Sequence, residues 1–121
     1  MHEWANVSDL YAQNHGGLFD GCEAWDDGNT CHAPVASYRP NFFGLHDMHG
    51  NVAEWCADWY DKDYYGRSPD RNPGGPDQGV RRAARGGAWR HAQTFCRITL
   101  RSKLDPSFRY NDFGFRVARS L

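Results

Sequence analysis

The 121 residues contain no C-x-x-C pair, no G-x-S-x-G elbow, no glycine loop followed by Lys-Ser/Thr, and no apolar run near the ~20 residues a membrane helix needs. Spacing therefore gives no support to a zinc knuckle, a thioredoxin-type site, a serine-hydrolase nucleophile or a phosphate cradle. Met1-His2-Glu3-Trp4-Ala5-Asn6 is polar and acidic where a secretory signal would be basic and then apolar, so no signal and no membrane partner are expected, and localisation stays open. Lysine is scarce too: of fourteen bases only Lys62 and Lys103 are lysines. The other twelve are arginines, which favour fixed bidentate contacts.

What is present is a charge asymmetry inside a net charge of −1. Residues 1–79 carry 13 acids and four bases, whereas residues 80–121 carry ten bases and only Asp105 and Asp112 as acids. Two readings follow: the halves neutralise each other within one fold, or the second half forms a basic binding face. The near-zero net charge speaks against a nucleic-acid partner.

Thirteen glycines, six prolines and 18 aromatic residues describe a single loop-rich domain whose core depends on rings. The four cysteines, Cys22, Cys31, Cys56 and Cys96, leave two possibilities. Cys22 and Cys31 flank a turn-rich loop and could pair, or all four could be free thiols.

Along the chain, Val7 to Asn14 predicts a short helix opened by Ser8 or Asp9, and Ala33 to Tyr38 a brief extended stretch. Gly44 to Asn51 reads as a tight helical turn feeding a strand over Val52 to Tyr60, with Glu54, Cys56 and Asp58 on one side and Trp55 and Trp59 on the other. Asp61 to Gly79 is a long loop. Three more strands are predicted at Arg81 to Trp89, interrupted by Gly86-Gly87, at Cys96 to Arg101 and at Gly114 to Arg119. The segments between them are irregular, and a row of guanidinium groups (Arg82, Arg97, Arg101) is expected to meet carboxylates of the first half. His46 and His49 are expected to be exposed.

Gly44-Leu45-x-Asp47-Met48-x-Gly50-Asn51-Val52-x-Glu54-Trp55-Cys56-x-Asp58-Trp59, Arg85-Gly86-Gly87-Ala88-Trp89, Cys96-Arg97 with Arg101, and Gly114-Phe115-Arg116-Val117 together resemble the C-terminal half of the sulfatase-modifying-factor domain, the domain of formylglycine-generating enzymes. The likeness runs from about Asn6 to the end. It implies an α+β, loop-rich, C-type-lectin-like fold with short strands and bound calcium. One calcium set carries over to Asn6, the carbonyl of Val7, Asp27 and the carbonyl of Asn29; a second to Asp47, the carbonyls of Gly50 and Val52, and Glu54. Read without the family, Asp47-x-x-Gly50-x-Val52-x-Glu54 can supply hard oxygens to one cation, or Asp47 can cap a turn while Glu54 meets an arginine of the basic half. Asp27-Gly28-Asn29 can equally be an ordinary Asx turn.

The resemblance also implies two catalytic cysteines that hold copper(I) and follow the Gly-Gly-(Ser/Ala)-(Trp/Tyr) block. Here the first position is His91 and the second Cys96. The bis-thiolate copper site is therefore missing, and a His91–Cys96 pair offers only two ligands. The family's N-terminal half, with its Leu-Pro-Thr-Glu-x-Glu-Trp type motif, is not matched beyond Glu3-Trp4, so residues 1–121 are read as one reduced domain whose uncovered apolar surface favours self-association.

The expected function is a calcium-stabilised module that binds a protein or small-molecule ligand. Its face would include Arg90, His91, Lys103, Phe108, Arg109 and Tyr110. Two alternatives stand beside it: a copper-dependent oxidase acting on a sulfatase cysteine through Cys96, and a variable binding protein of a diversity-generating retroelement.

Overall fold

The computed structural model describes residues 2–17, 19 and 21–119. Asp9, in extended backbone, accepts the Ala12 amide at 3.0 Å and caps a five-residue helix α1 (Leu10–Asn14). The helix is shorter than expected because Ser8 and Asp9 are stitched into loops instead. Ser8 donates its amide to the His91 carbonyl and accepts the Glu23 amide, and Asp9 bridges Glu23.

The strands are β1 (Ala53–Trp59), β2 (Arg82–Arg85), β3 (Ser102–Leu104) and β4 (Phe113–Gly114), in one sheet of order β3-β2-β1-β4. β1 pairs antiparallel with β2, β2 antiparallel with β3, and β4 parallel with β1. Glu54 faces Arg85 and Trp55 faces Ala84, but Trp59 faces Arg82, so β1 bulges between Trp55 and Trp59. Short 3-10 turns lie at Tyr64–Gly66 and Gln93–Cys96. The fold is α+β and loop-rich, as expected.

Several local expectations are corrected. Ala33 to Tyr38 is turns, with Ala36 at φ 62°. Gly44 to Asn51 is not helical, because Gly44, Asp47, Gly50 and Asn51 all adopt positive φ, which a right-handed helix excludes. β2 stops at Arg85 because Gly86 and Gly87 also take positive φ. Cys96 to Arg101 is not a strand: the Arg85 guanidinium takes the carbonyls of Ile98 and Leu100, at 2.8 and 3.2 Å, and leaves them no ladder. The third strand falls instead within the expected irregular stretch, at Ser102–Leu104. β4 runs only two residues before Arg116 turns to Glu54. All four cysteines are free, so the Cys22–Cys31 pairing is absent; Asx-type bonds from Asp26 and Asp27 hold that loop.

The buried residues are mostly small. Ala5, Val7 and Cys96 form one cluster under Trp25, and Ala53, Ala88 and Trp89 form another with Phe19 and Phe113. Rings complete this core edge-on, Phe19 meeting Trp89 at 5.2 Å between centroids. Asn51 ties the loops together. Its amide nitrogen donates to the Asn6 carbonyl, its carbonyl accepts the Trp89 amide, and its side chain brackets Ala33.

Mutual neutralisation of the halves is not what the charges do. Of the Lys and Arg ion pairs among the described residues, only Glu54–Arg116 joins the acidic half to the basic one. The expected arginine row dissolves: Arg82 lies 3.6 Å over the Trp59 ring, Arg101 lies 4.0 Å over Tyr65, and Arg97 bonds the nearby Thr94 carbonyl. His46 and His49 are half-buried fasteners, bonding the Tyr38 and Cys96 carbonyls at 2.7 and 2.6 Å.

Candidate functional site

The β3 edge, the end of β1 and the loops around residues 90 and 110 enclose a cavity of about 400 Å³. Four of the six residues expected on a binding face line it: Arg90, His91, Lys103 and Tyr110. Phe108 and Arg109 are exposed and lie outside the lining. Tyr60, Arg101, Asp112 and Phe113 also line it and were not named for the binding face, Arg101 having been read as part of an arginine row. Their signal was position beside the recognised block, but only the fold brings residues 60 and 101 together.

The cavity is wet on one side and aromatic on the other. Tyr110 and Phe113 sit 5.2 Å apart, and both face Trp55. Arg101 and Lys103 both lie over the Tyr60 ring, at 5.1 and 5.7 Å. Arg90 approaches the buried Asp112 carboxylate at 4.0 Å. The His91 ring accepts the Ala88 amide at Nδ1, leaving Nε2 as its N–H, and burial holds its pKa below the usual imidazole range.

His91 and Cys96 each have a different immediate partner, the His91 ring meeting the Ala88 amide and the Cys96 sulfur lying beneath Gly87. Cys96 is buried with its sulfur packed beneath Gly87, where an added Cβ would come within 2.5 Å of it. Burial pushes its thiol up to about 11, partly offset by the Gly50 amide and reinforced by Glu23. At neutral pH it is a thiol, whereas nucleophilic and redox cysteines act as thiolates. Among the described residues no group of three His, Cys, Asp or Glu side chains is placed to hold a metal, so any cation must be held through amide and carbonyl oxygens as well.

Asn6, Val7, Asp27 and Asn29 are brought together. Asp27 accepts the amides of Val7 and Asn29 at 2.8 and 3.0 Å, and the Asn6 side-chain oxygen is buried without a partner. Asp9 joins them unforeseen: it is fully buried and takes the Asp27 amide at 2.5 Å. Burial raises the Asp27 carboxyl to about 6, with Asp9 adding to the rise against the lowering by amide bonds. Two carboxylates, an orphaned amide oxygen and no cationic partner among the described residues form a donor set suited to a hard cation.

The second set is occupied differently. Asp47 keeps one buried, unpartnered oxygen, its other accepting the Ala36 amide at 2.8 Å. Both Glu54 oxygens are gripped by Arg116, whose guanidinium also donates to the carbonyls of His46 and Asp47. Glu54 thus meets an arginine of the basic half, and an internal cation stands among the donors of Asp47, Gly50, Val52 and Glu54.

Residues 2–121 match the family model of the sulfatase-modifying factor enzyme 1-like domain. The formylglycine-generating enzyme of Streptomyces coelicolor is 41% identical over 105 residues, covering 84% of this chain and 33% of that enzyme. In fold the chain is similar to Treponema denticola variable protein 1 (TM-score 0.72, 29% identity, 93% of this chain and 34% of that one). It is also similar to PvdO from Pseudomonas aeruginosa (TM-score 0.73, 30% identity, 95% and 38%). The chain thus spans about a third of the length of each of these three relatives.

Proposed function

We propose, for a chain that belongs to the sulfatase-modifying factor enzyme 1-like family, that it acts as a calcium-stabilised ligand- or protein-binding module and not as a copper oxidase. One observation carries the reading. If the family's catalytic positions carry over as the resemblance implies, the first cysteine's place falls on His91 and the second's on Cys96, whose sulfur is buried beneath Gly87. The scaffold is kept while the paired soft ligands that copper(I) chemistry needs are not. Likeness to a variable protein supports the binding side of this reading. Binding falls to the cavity bounded by Arg90, His91, Lys103 and Tyr110.

Calcium would be held by Asn6, Asp27 and the carbonyls of Val7 and Asn29, and its contribution is structural: it neutralises the buried carboxylates of the acidic loops and fixes those loops. The Asp47–Glu54 set is the weaker of the two, since Arg116 already serves Glu54. Two measurements test the proposal. With copper(I) and oxygen supplied, a cysteine-containing sulfatase peptide should yield no aldehyde; measurable turnover makes the chain an oxidase. Calcium at about 100 times its Kd should stabilise the fold by about 2.7 kcal/mol relative to chelator-treated protein. An unchanged melting temperature removes the calcium part.

A further inference from the structure

Resting on the binding reading above, we infer that the cavity between β3 and the 90 and 110 loops takes a small organic anion that joins a carboxylate to a flat ring. Its lining carries three fixed cations, Arg90, Arg101 and Lys103, against one carboxylate, Asp112. Asp112 is buried and approached by Arg90, so its charge is already met. Lys103 and Arg101 remain, Arg101 sharing with Arg67 the nearby Asp61 carboxylate, which lies outside the lining. Both lie over the same ring, Tyr60, and neither makes a direct ion pair among the described residues.

Two like charges sharing one ring repel each other, and the arrangement improves when an anion sits between them. Arg101 is pre-positioned for this by stacking 4.0 Å over Tyr65, so its planar fork is oriented before any ligand arrives. His91, whose Nδ1 accepts the Ala88 amide, presents its Nε2–H as a further donor. Tyr110 and Phe113, with ring centroids 5.2 Å apart, also line the cavity and offer aromatic surface that an aliphatic ion would leave unfilled and a planar ring would cover. The volume, about 400 Å³, lies in the range of small-molecule sites.

The test is titration of the 15N-labelled chain with benzoate, benzyl alcohol and acetate, followed by NMR and calorimetry. Benzoate is expected to saturate shifts at Arg101, Ser102, Lys103 and Tyr110, with a Kd at least tenfold below those of benzyl alcohol, which lacks the charge, and acetate, which lacks the ring. Lys103 is exposed, so Lys103→Gln keeps the fold and should weaken benzoate about fivefold; Arg101→Gln should weaken it further, with amide dispersion confirming a folded chain. Benzyl alcohol binding as tightly as benzoate overturns the charge argument yet leaves the cavity a ligand site. Acetate binding as tightly overturns the ring argument. No saturable shift by benzoate up to 50-fold the protein concentration in low salt, or benzoate binding unchanged in Lys103→Gln and Arg101→Gln, overturns the inference itself. The aldehyde assay above decides the wider reading separately.

Discussion

Asn51 is the residue whose loss should cost the fold most per atom removed. Its side-chain oxygen accepts the Ala33 amide at 3.0 Å and its amide group donates to the Ala33 carbonyl at 3.2 Å, both inside buried structure. The backbone sits at φ 59°, a conformation that costs alanine more than asparagine. Asn51→Ala strands one buried donor and one buried acceptor at about 1–3 kcal/mol each and adds roughly 1 kcal/mol of backbone strain, in all about 3–7 kcal/mol. Single domains hold about 5–15 kcal/mol, so this variant approaches the unfolding threshold. At roughly 4 °C per kcal/mol for a domain of this length, the melting temperature should fall by about 12 °C or more. Asn51→Gly separates the two causes, losing the same bonds while accepting the positive φ, and should be about 1 kcal/mol milder. Thermal and urea melts of both variants decide it. Asn51→Ala melting within 3 °C of the parent would refute the reasoning about the buried bonds, and equal losses in both variants would refute the strain term.

Three further outcomes are expected. In chelator, the raised Asp27 carboxyl means that the folded chain holds this proton more tightly than the unfolded chain, whose carboxyl titrates near 4; its contribution is therefore full below pH 4 and is lost as pH rises through about 6. Melts from pH 4 to 7 in the parent and in Asp27→Asn should show this loss only in the parent, and added calcium should abolish it. Gly87→Ala forces a Cβ to 2.5 Å from the Cys96 sulfur and 3.0 Å from the Phe95 carbonyl oxygen at φ 72°, so a loss above about 2 kcal/mol is expected in urea melts. Self-association is expected through the apolar hollow lined by Val35, Leu45, Phe115 and Val117, with Phe115 77% and Val117 85% exposed. Light scattering should give a mass that rises with concentration and falls to monomer in Phe115→Glu/Val117→Glu, while a monomer throughout in the parent would refute it.

The sequence was legible where one residue type had one physical use. Asp9 before Leu10-Tyr11-Ala12 caps a helix wherever it occurs, and the alternation from Ala53 to Trp59 admits little besides a half-buried strand. Gly86-Gly87 had to break the following strand, and it does. Illegible were the features set by a distant partner. Nothing local in Ile98 or Leu100 announces that Arg85, more than a dozen residues earlier, will claim their carbonyls and cancel a strand. Positive φ at Ala36 and Asp47 is likewise tertiary, the Ala36 amide being held by the Asp47 carboxylate. His46 and His49 looked exposed because imidazole spacing carries no information about which carbonyl will receive it. At the cavity the resemblance marked His91 and Arg101 and the expected binding face named Lys103, while only the sheet shows that Tyr60 and Arg101 lie beside them.

The charge asymmetry gives these separate observations a common cause. Had the two halves neutralised each other, the acidic loops would be tied to arginines and neither half would need anything from outside. Instead the arginines of the basic half spend themselves on rings and carbonyls: Arg82 on Trp59, Arg85 on Ile98 and Leu100, Arg101 on Tyr65. The carboxylates of Asp9 and Asp27 are met by backbone amides, which orient them but remove no charge. Each half therefore keeps an uncompensated residue of its own sign, negative around Asn6 and Asp27, positive around Tyr60. Glu54–Arg116 is the exception among the described residues, and it falls where the second cation set was expected, so the ion pair that joins the two halves there also stands where an external ion has least to add. The proposed cation in the first loops and the proposed anion in the β3 cavity would be two answers to the same imbalance. Their order of consequence differs: the cation's donors lie in buried loops that the core packs against, so its loss acts on stability, whereas the anion's partners are already stacked and partly exposed, so its loss acts on occupancy alone.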